Sequence, residues 1–450
     1  MTPFDDDADW DAACVAAVQL AEAARAPLPN ECDAEDEDVW LDAEAEFGNE
    51  TCAVPERRQL DLRAWLGLAP RAKKAKTGAV QADIRALFGA PVPPPEPVVA
   101  APRRCPFYKR IEGTPFAVDA FGYGAVPGVQ AYILTHFHSD HYGGLDKHWP
   151  AHLPIYCTPV TDRLVALRLR VPPAALRPVP LNTRTLVLGV PLTFLDANHC
   201  PGAAVALLQP ASLPPSRPFI LHTGDFRAAP SLLGSPQVTA LAHRISLLYL
   251  DTTYCDERYA FPPQEEAVAA AVAAALRARG QHRRLLIVVG AYSIGKERVA
   301  LALAEALDCA IFVEASRAQL YACFDWPALQ ARLTRQREGS PLHVVPLGWC
   351  ASPAKLAAYL EQQNQGAPPA YCYDAILGFR PTGWTHGQAP RKAGKGVSVE
   401  GVAYSEHSSA RELAACVRLL QPGRVIPTVS VGNAGKREAM AKLLAEWQAA

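Results

Sequence analysis

Three histidines and an aspartate fall within six residues, His136-Phe137-His138-Ser139-Asp140-His141, directly behind the apolar run 131–135 (AYILT). Burying an imidazole or a carboxylate without a partner is costly, and crowding four of them is worse unless a cation compensates. At a strand end, alternate side chains point the same way. His136 and His138 can then share one ion, while Asp140 and His141 face a neighbouring position. Imidazole and carboxylate donors without thiolates suit zinc (Zn2+), with Mg2+ or Mn2+ as alternatives. The competing reading is a surface histidine cluster, which predicts none of the features that follow.

Three more segments offer donors at strand ends. Asn198-His199-Cys200-Pro201-Gly202 follows the apolar run LTFLD, His222-Thr223-Gly224-Asp225 follows FIL, and Asp119 closes FAVD. Singly, each has a plain reading as a loop histidine or a turn-capping aspartate. Together they lie at the kind of edge where the His136–His141 cluster lies, and that favours one site.

Apolar runs at 116–119, 131–135, 155–157, 192–195, 203–208, 218–222, 246–250, 285–289 and 310–313 are expected to be strands. Helices are expected over 264–279, stopped by Gly280, and over 296–308 and 408–420. Strands come first in runs and then alternate with helices, which predicts an α/β protein of two units, one sheet-rich and one α/β. No apolar run approaches the roughly 18 residues of a membrane span. The opening MTPFDDDADW lacks the basic-then-apolar pattern of a secretory signal, so none is expected. The 12 cysteines include no CxxC pair, which argues against a disulfide scaffold and a cysteine zinc finger and fits a reducing compartment.

The net charge of −1 hides an asymmetry: residues 1–50 hold 16 acids against one basic residue, leaving residues 51–450 at +14. A basic body suits polyanionic partners. The acidic stretch 1–56 is expected to be disordered, and Pro91–Pro106 to be an extended linker. The basic run 71–76 (RAKKAK) fits a nuclear-import signal and a solvated linker equally.

The motif set HFHSDH, with Asp119, His199 and Asp225, resembles that of the metallo-β-lactamase superfamily. The segments PFYKRIEGTPFAVDAFGYG, LDANHCPGA, LHTGDFRA, LYLDTTYC, AYSIGKERV, ILGFRPTGWT, YSEHSSARE and IPTVSVGN narrow the likeness. They resemble the DNA interstrand cross-link repair nucleases of the β-CASP branch, from about residue 104 to 440. The resemblance implies an αββα sandwich with an inserted α/β β-CASP cap. It divides the chain into a leader (1–103), a first metallo-β-lactamase part (104–255), a cap (256–395) and a return to the core (396–450). By the same likeness His136, His138, His199 and Asp225 take a first metal, Asp140, His141 and Asp225 serve a second, and Asp119 holds ligands in place. Asp140 also counts among the catalytic residues, with the pair Asp251 and His407, which protonates a leaving group or binds phosphate. At the position where RNA-cleaving members carry a further histidine this chain has Val431, which cannot ligate, so the second metal is expected to be weaker and DNA is favoured over RNA.

Ser293-Ile294-Gly295-Lys296 follows a strand and opens a helix, a plausible phosphate cradle or a plain turn with a solvated lysine. Thr382 in RPTGW offers another contact to the DNA strand, and Trp384 is either core or a stacking platform. In the leader, Gln81, Ile84, Leu87 and Phe88 resemble a sliding-clamp-binding box, with Leu87 departing from the usual aromatic; residues 59–66 share the spacing. A short amphipathic helix would look the same. The resemblance thus implies a monomeric, nuclear, metal-dependent 5′-to-3′ exonuclease on 5′-phosphorylated DNA, acting in cross-link repair. The alternatives are a small-molecule hydrolase such as a thioesterase, disfavoured by the long insert between Asp251 and His407 and by the basic body, and a non-catalytic DNA-end scaffold, disfavoured by the intact ligand set.

Overall fold

Nine short apolar segments become strands where the sequence leads one to expect them, and with eight further strands they build three sheets among the described residues. The computed structural model describes residues 104–385, 389–392, 394 and 396–449. The leader, with its clamp-like boxes at 59–66 and 81–88 and the basic run 71–76, lies outside the described residues.

The first sheet is parallel, in the order β1 (Phe116–Val118), β2 (Ala131–Ile133), β3 (Ile155–Cys157) and β4 (Leu176–Pro178). The second has six strands: β5 (Thr185–Val187), β6 (Val190–Asp196), β7 (Ala204–Leu208), β8 (Phe219–His222), β9 (Ile245–Leu250) and β17 (Arg424–Pro427). The two sheets pack face to face. Phe116, Val118, Ala131 and Ile133 meet Leu192, Phe194, Ala206 and Ile220 in one buried cluster. The intervening residues, such as Ala117 and Tyr132 on one sheet and Val205 and Leu221 on the other, point outward, as period-two alternation requires. Helix Pro159–Leu169 contributes Leu164 and Val165, and helix Ala410–Leu420 contributes Leu413 and Val417, to that outer core. The result is the αββα sandwich. Each fully buried Leu, Ile or Phe stabilises it by about 1.5–3 kcal/mol.

The third sheet has seven strands: β10 (Leu285–Ala291), β11 (Ile311–Val313), β12 (Leu333–Thr334), β13 (Leu342–Pro346), β14 (Ala375–Pro381), β15 (Arg391–Lys392) and β16 (Val397–Val402). All its pairs are parallel except β15 with β16. β10 is buried along its whole length, which its continuous apolar run LLIVV dictates. Because β16 pairs with β14, this sheet extends past residue 395, where the sequence reading drew the boundary.

The helix expected to stop at Gly280 runs from Gln264 to Gln281. A single glycine costs a helix only about 1 kcal/mol. A Cβ built there meets nothing within 4 Å, so no close approach called for a glycine. Among the described residues no helix is long and apolar enough to cross a membrane.

Candidate metal centre

The chain leaves β2 through Leu134 and Thr135 and delivers His136, fully buried, to the end of the sandwich. His138 precedes the single-turn helix Ser139–Tyr142, which carries Asp140 and His141. Gly144 then passes so close to the turn at Gly122 that a Cβ would lie 2.5 Å from its backbone nitrogen.

Three imidazoles converge with their protons turned outward. His136 Nδ1 faces Thr135 Oγ1 at 2.9 Å, and that hydroxyl already donates to Asp119 Oδ2, so it accepts from His136. His138 Nε2 donates to the carbonyl of Ile294 at 3.3 Å, and His199 Nδ1 to the carbonyl of Glu406 at 2.9 Å. These partners assign the tautomers. The inward atoms, His136 Nε2, His138 Nδ1 and His199 Nε2, are then bare lone pairs at 3.0 and 3.2 Å from one another. Burial, together with neighbouring imidazoles, pushes the pKa of His136 and His199 well below the ordinary value, and burial lowers that of His138. No proton bridges these contacts, and a divalent cation is what such a donor set fits.

Asp225 stands between this triad and a second group. Its Oδ2 lies 3.7 Å from His136 Nε2, 3.1 Å from His141 Nε2, 4.0 Å from His199 Nε2 and 3.9 Å from His407 Nε2. His136, His141 and Asp225 form one group of convergent donors, and His199, Asp225 and His407 another. His141 Nε2 also lies 3.3 Å from Asp140 Oδ2. Burial alone would lower the pKa of His141, but Asp225, Asp140 and Asp119 raise it well above normal. A cation at this position would take the place of the Nε2 proton that these carboxylates favour on His141.

Asp119 is buried at the end of β1 with φ of 50°, a left-handed conformation that Asp tolerates better than most residues. Its Oδ1 accepts from the Thr135 amide at 2.9 Å, and its Oδ2 accepts from Thr135 Oγ1 at 2.8 Å and from His141 Nδ1 at 2.7 Å. Burial opposes its ionisation, yet His141 and these hydrogen bonds hold the carboxyl below its usual range. One carboxylate thus orients a donor of each group, the kind of outer support metal sites require.

Asp251 directly follows β9 and is buried; its Oδ2 accepts from His407 Nδ1 at 2.9 Å, and its Oδ1 accepts from the Thr253 amide and hydroxyl. Burial would lower the pKa of His407, but Asp251 and Asp225 raise it to about 9. His407 reaches this place because Arg227, itself buried, donates to the Ser405 carbonyl at 2.7 Å and to Glu412 at 2.8 Å. Ser408 Oγ donates to the Phe226 carbonyl at 2.8 Å. The segment after Asp225 is thereby laced to the segment around His407, and a Ser409–Glu412 capping box starts the next helix.

A family model described as DNA repair metallo-beta-lactamase matches residues 327–433, a span that includes His407. The chain is 42% identical over 356 residues to DNA cross-link repair protein SNM1 of Arabidopsis thaliana, covering 77% of this chain and 70% of the relative. The chain belongs to the DNA repair metallo-β-lactamase family. It is also 41% identical to the human DNA cross-link repair 1A protein, over 77% of this chain but only 32% of the relative. With the chicken 5′ exonuclease Apollo it shares 34% identity over 71% of this chain and 63% of the relative. It therefore spans about a third of the human relative and under two thirds of the chicken one.

Within this member of the family, the cradle expected at Ser293–Lys296 does not stand open for phosphate. Lys296 is buried and its ammonium lies 2.6 Å from Glu406 Oε2. The Lys296 amide donates to Glu406 Oε1 at 3.0 Å, and the Gly295 amide to Glu297 Oε1 at 2.7 Å. The chain's own carboxylates fill the turn. Ser293 is half-buried, and its carbonyl accepts from Arg317. Thr382 accepts from the Trp384 amide at 3.5 Å, and Trp384 packs against both Tyr254 and Tyr259 while keeping 36% of its surface exposed. Thr135, Glu406 and the Ile294 carbonyl carry no role in the sequence reading. Glu406 stood within the SEH motif, but its partner lies 110 residues away, and only folding pairs them.

Proposed function

We propose that this chain is a metal-dependent 5′-to-3′ DNA exonuclease acting in interstrand cross-link repair. The observation that carries the reading is Asp225 Oδ2, which faces His136 and His199 of the lone-pair triad on one side, His141 on another and the Asp251–His407 pair on a third. The family, with relatives named for cross-link repair and for 5′ exonuclease action, supports DNA as the substrate. Val431, at the position where a further histidine would reinforce a second metal, supports DNA over RNA.

His136, His138, His199 and Asp225 would hold a first divalent ion, zinc by donor chemistry, and Asp140, His141 and Asp225 a weaker second one, with Mg2+ or Mn2+ as alternatives. When bound, such an ion lowers the pKa of water and offsets charge on phosphate oxygens. The protein's own groups do the rest. Asp251 holds Nδ1 of His407, which fixes the ring and leaves its proton-bearing Nε2 turned toward Asp225. With a pKa raised to about 9, His407 carries that proton at neutral pH and donates it to the departing oxygen. Its charge also grips a phosphate. By the same reading the protein acts in the nucleus as a monomer, with a sliding clamp as the partner whose binding box the sequence of residues 81–88 resembles.

The deciding experiment offers 5′-phosphorylated and 5′-hydroxyl single-stranded DNA, an RNA strand and a thioester, each with and without chelator. Preferred degradation of 5′-phosphorylated DNA, abolished by chelation and by Asp140→Asn, is expected. Thioester turnover with inert DNA would overturn the reading in favour of a small-molecule hydrolase, and DNA binding without any turnover in favour of a scaffold.

A further inference from the structure

Two of the three converging imidazoles, His138 and His199, donate their orienting hydrogen bonds to backbone carbonyls, and both carbonyls belong to one buried device. Ile294, whose carbonyl receives His138 Nε2, sits in the turn between β10 and helix Glu297–Leu307. Glu406, whose carbonyl receives His199 Nδ1, lies 110 residues beyond Lys296, after β16. The side chains of the same two segments join them. Glu406 grips the turn twice, through the Lys296 amide at 3.0 Å and the Lys296 ammonium at 2.6 Å.

The turn is shaped to receive that carboxylate. Gly295 has φ of +96°, and a Cβ there would lie 2.9 Å from Glu406 Oε2. Lys296 follows with φ of 71°, a left-handed conformation a lysine adopts only under constraint. Arg317 donates to the Tyr292 and Ser293 carbonyls and pins the turn from the far side. Lys296 and Glu406 are 7% and 3% exposed, so neither can serve a solvent-borne phosphate without breaking the pair. An ion pair buried to this degree contributes little net stability against an apolar substitute, and its value is then geometric.

We propose that the Lys296–Glu406 pair is a positioning device for the metal centre: it sets the Ile294 and Glu406 carbonyls, and through them the tautomers and aim of His138 and His199. This rests on the reading of the histidine cluster as a metal centre. Lys296 and Glu406 are positioning residues, with no contact to substrate or ion required of them. Glu406→Gln keeps its own backbone carbonyl but loses the grip on the ammonium, so the turn and Ile294 shift away from His138.

The test is zinc binding by the metal-free full chain, measured by chelator competition, with the absorption spectrum of the cobalt-loaded chain as a second readout. Glu406→Gln is expected to weaken zinc binding by roughly 10–100-fold, the usual effect of removing outer support from a ligand, and to change the cobalt spectrum. Lys296→Met combined with Glu406→Gln leaves no orphaned charge and serves where the single variant fails to fold. Lys296→Arg, which keeps the charge, is expected to restore part of the affinity lost in Lys296→Met. A folded variant with lowered thermal stability but wild-type zinc affinity and cobalt spectrum would overturn the proposal and leave the pair a structural brace. A wild-type chain that binds no zinc or cobalt would overturn the metal centre itself, and this proposal with it.

Discussion

Asp251 and His407 lie 156 residues apart in the chain and share one hydrogen bond of 2.9 Å, between Oδ2 and Nδ1. Asp251→Asn removes the first of the two charges, Asp251 and Asp225, that lift the His407 pKa to about 9. His407 then loses its proton at lower pH, and the alkaline limb of turnover against pH moves down. His407→Ala removes the donor, and its kcat on 5′-phosphorylated DNA falls roughly 100- to 10,000-fold. The double variant is no worse than His407→Ala, because the two residues act as one unit. An unshifted alkaline limb in Asp251→Asn would contradict the pairing.

Asp225 faces both groups of donors, whereas His141 belongs to one. Metal analysis after dialysis against graded zinc is expected to show His141→Ala losing only the weaker ion and Asp225→Ala losing both. Equal stoichiometry in the two variants would remove Asp225 from its shared position.

Asp119→Asn keeps a side chain that tolerates the left-handed backbone but gives up the charge facing His141 Nδ1 at 2.7 Å. The weaker ion is expected to bind roughly 10–100-fold less tightly. Isothermal titration with zinc reads this directly, and the fold, followed by circular dichroism, is retained.

His343 in β13 is fully buried against Tyr359, and burial pushes its pKa down to about 4. The unfolded chain, with an ordinary histidine pKa, binds the proton first. Stability from this group is therefore intact above about pH 6.5 and declines as pH falls, by about 3 kcal/mol at pH 4. Urea unfolding at several pH values is expected to show a shallower acid-side slope in His343→Leu than in the parent chain, whatever the variant's absolute stability.

Gly144→Ala would set a Cβ 2.5 Å from the Gly122 nitrogen at a φ of +100°. The helix Ser139–Tyr142 must then back away from the turn at Phe121–Tyr123. A loss of at least about 1 kcal/mol in unfolding free energy is expected, together with weaker zinc binding.

The donor cluster was legible because its chemistry is local: four donors in six residues admit few readings. The strands were legible where both faces are covered, as in β10, whose run of five apolar residues leaves no polar side. β14 was harder, because Gly378, Arg380 and Pro381 interrupt its apolar pattern, yet it is the central partner of β10 and β16. Helix Ala434–Ala449 buries Met440, Leu444 and Trp447, a helical spacing absent from the helices expected. The turn at Ser293–Lys296 misled for a physical reason. An open anion cradle and one filled by a glutamate from a distant segment share the same local sequence, and the difference lies in residue 406.

β16 ends at Val402, and only residues 403–406 separate it from His407. His407 therefore rides on the strap that joins the seven-stranded sheet to the sandwich. Because Arg227 and Ser408 moor that strap to the sandwich at the Ser405 and Phe226 carbonyls, a shift of the sheet reaches His407 only by straining those two hydrogen bonds.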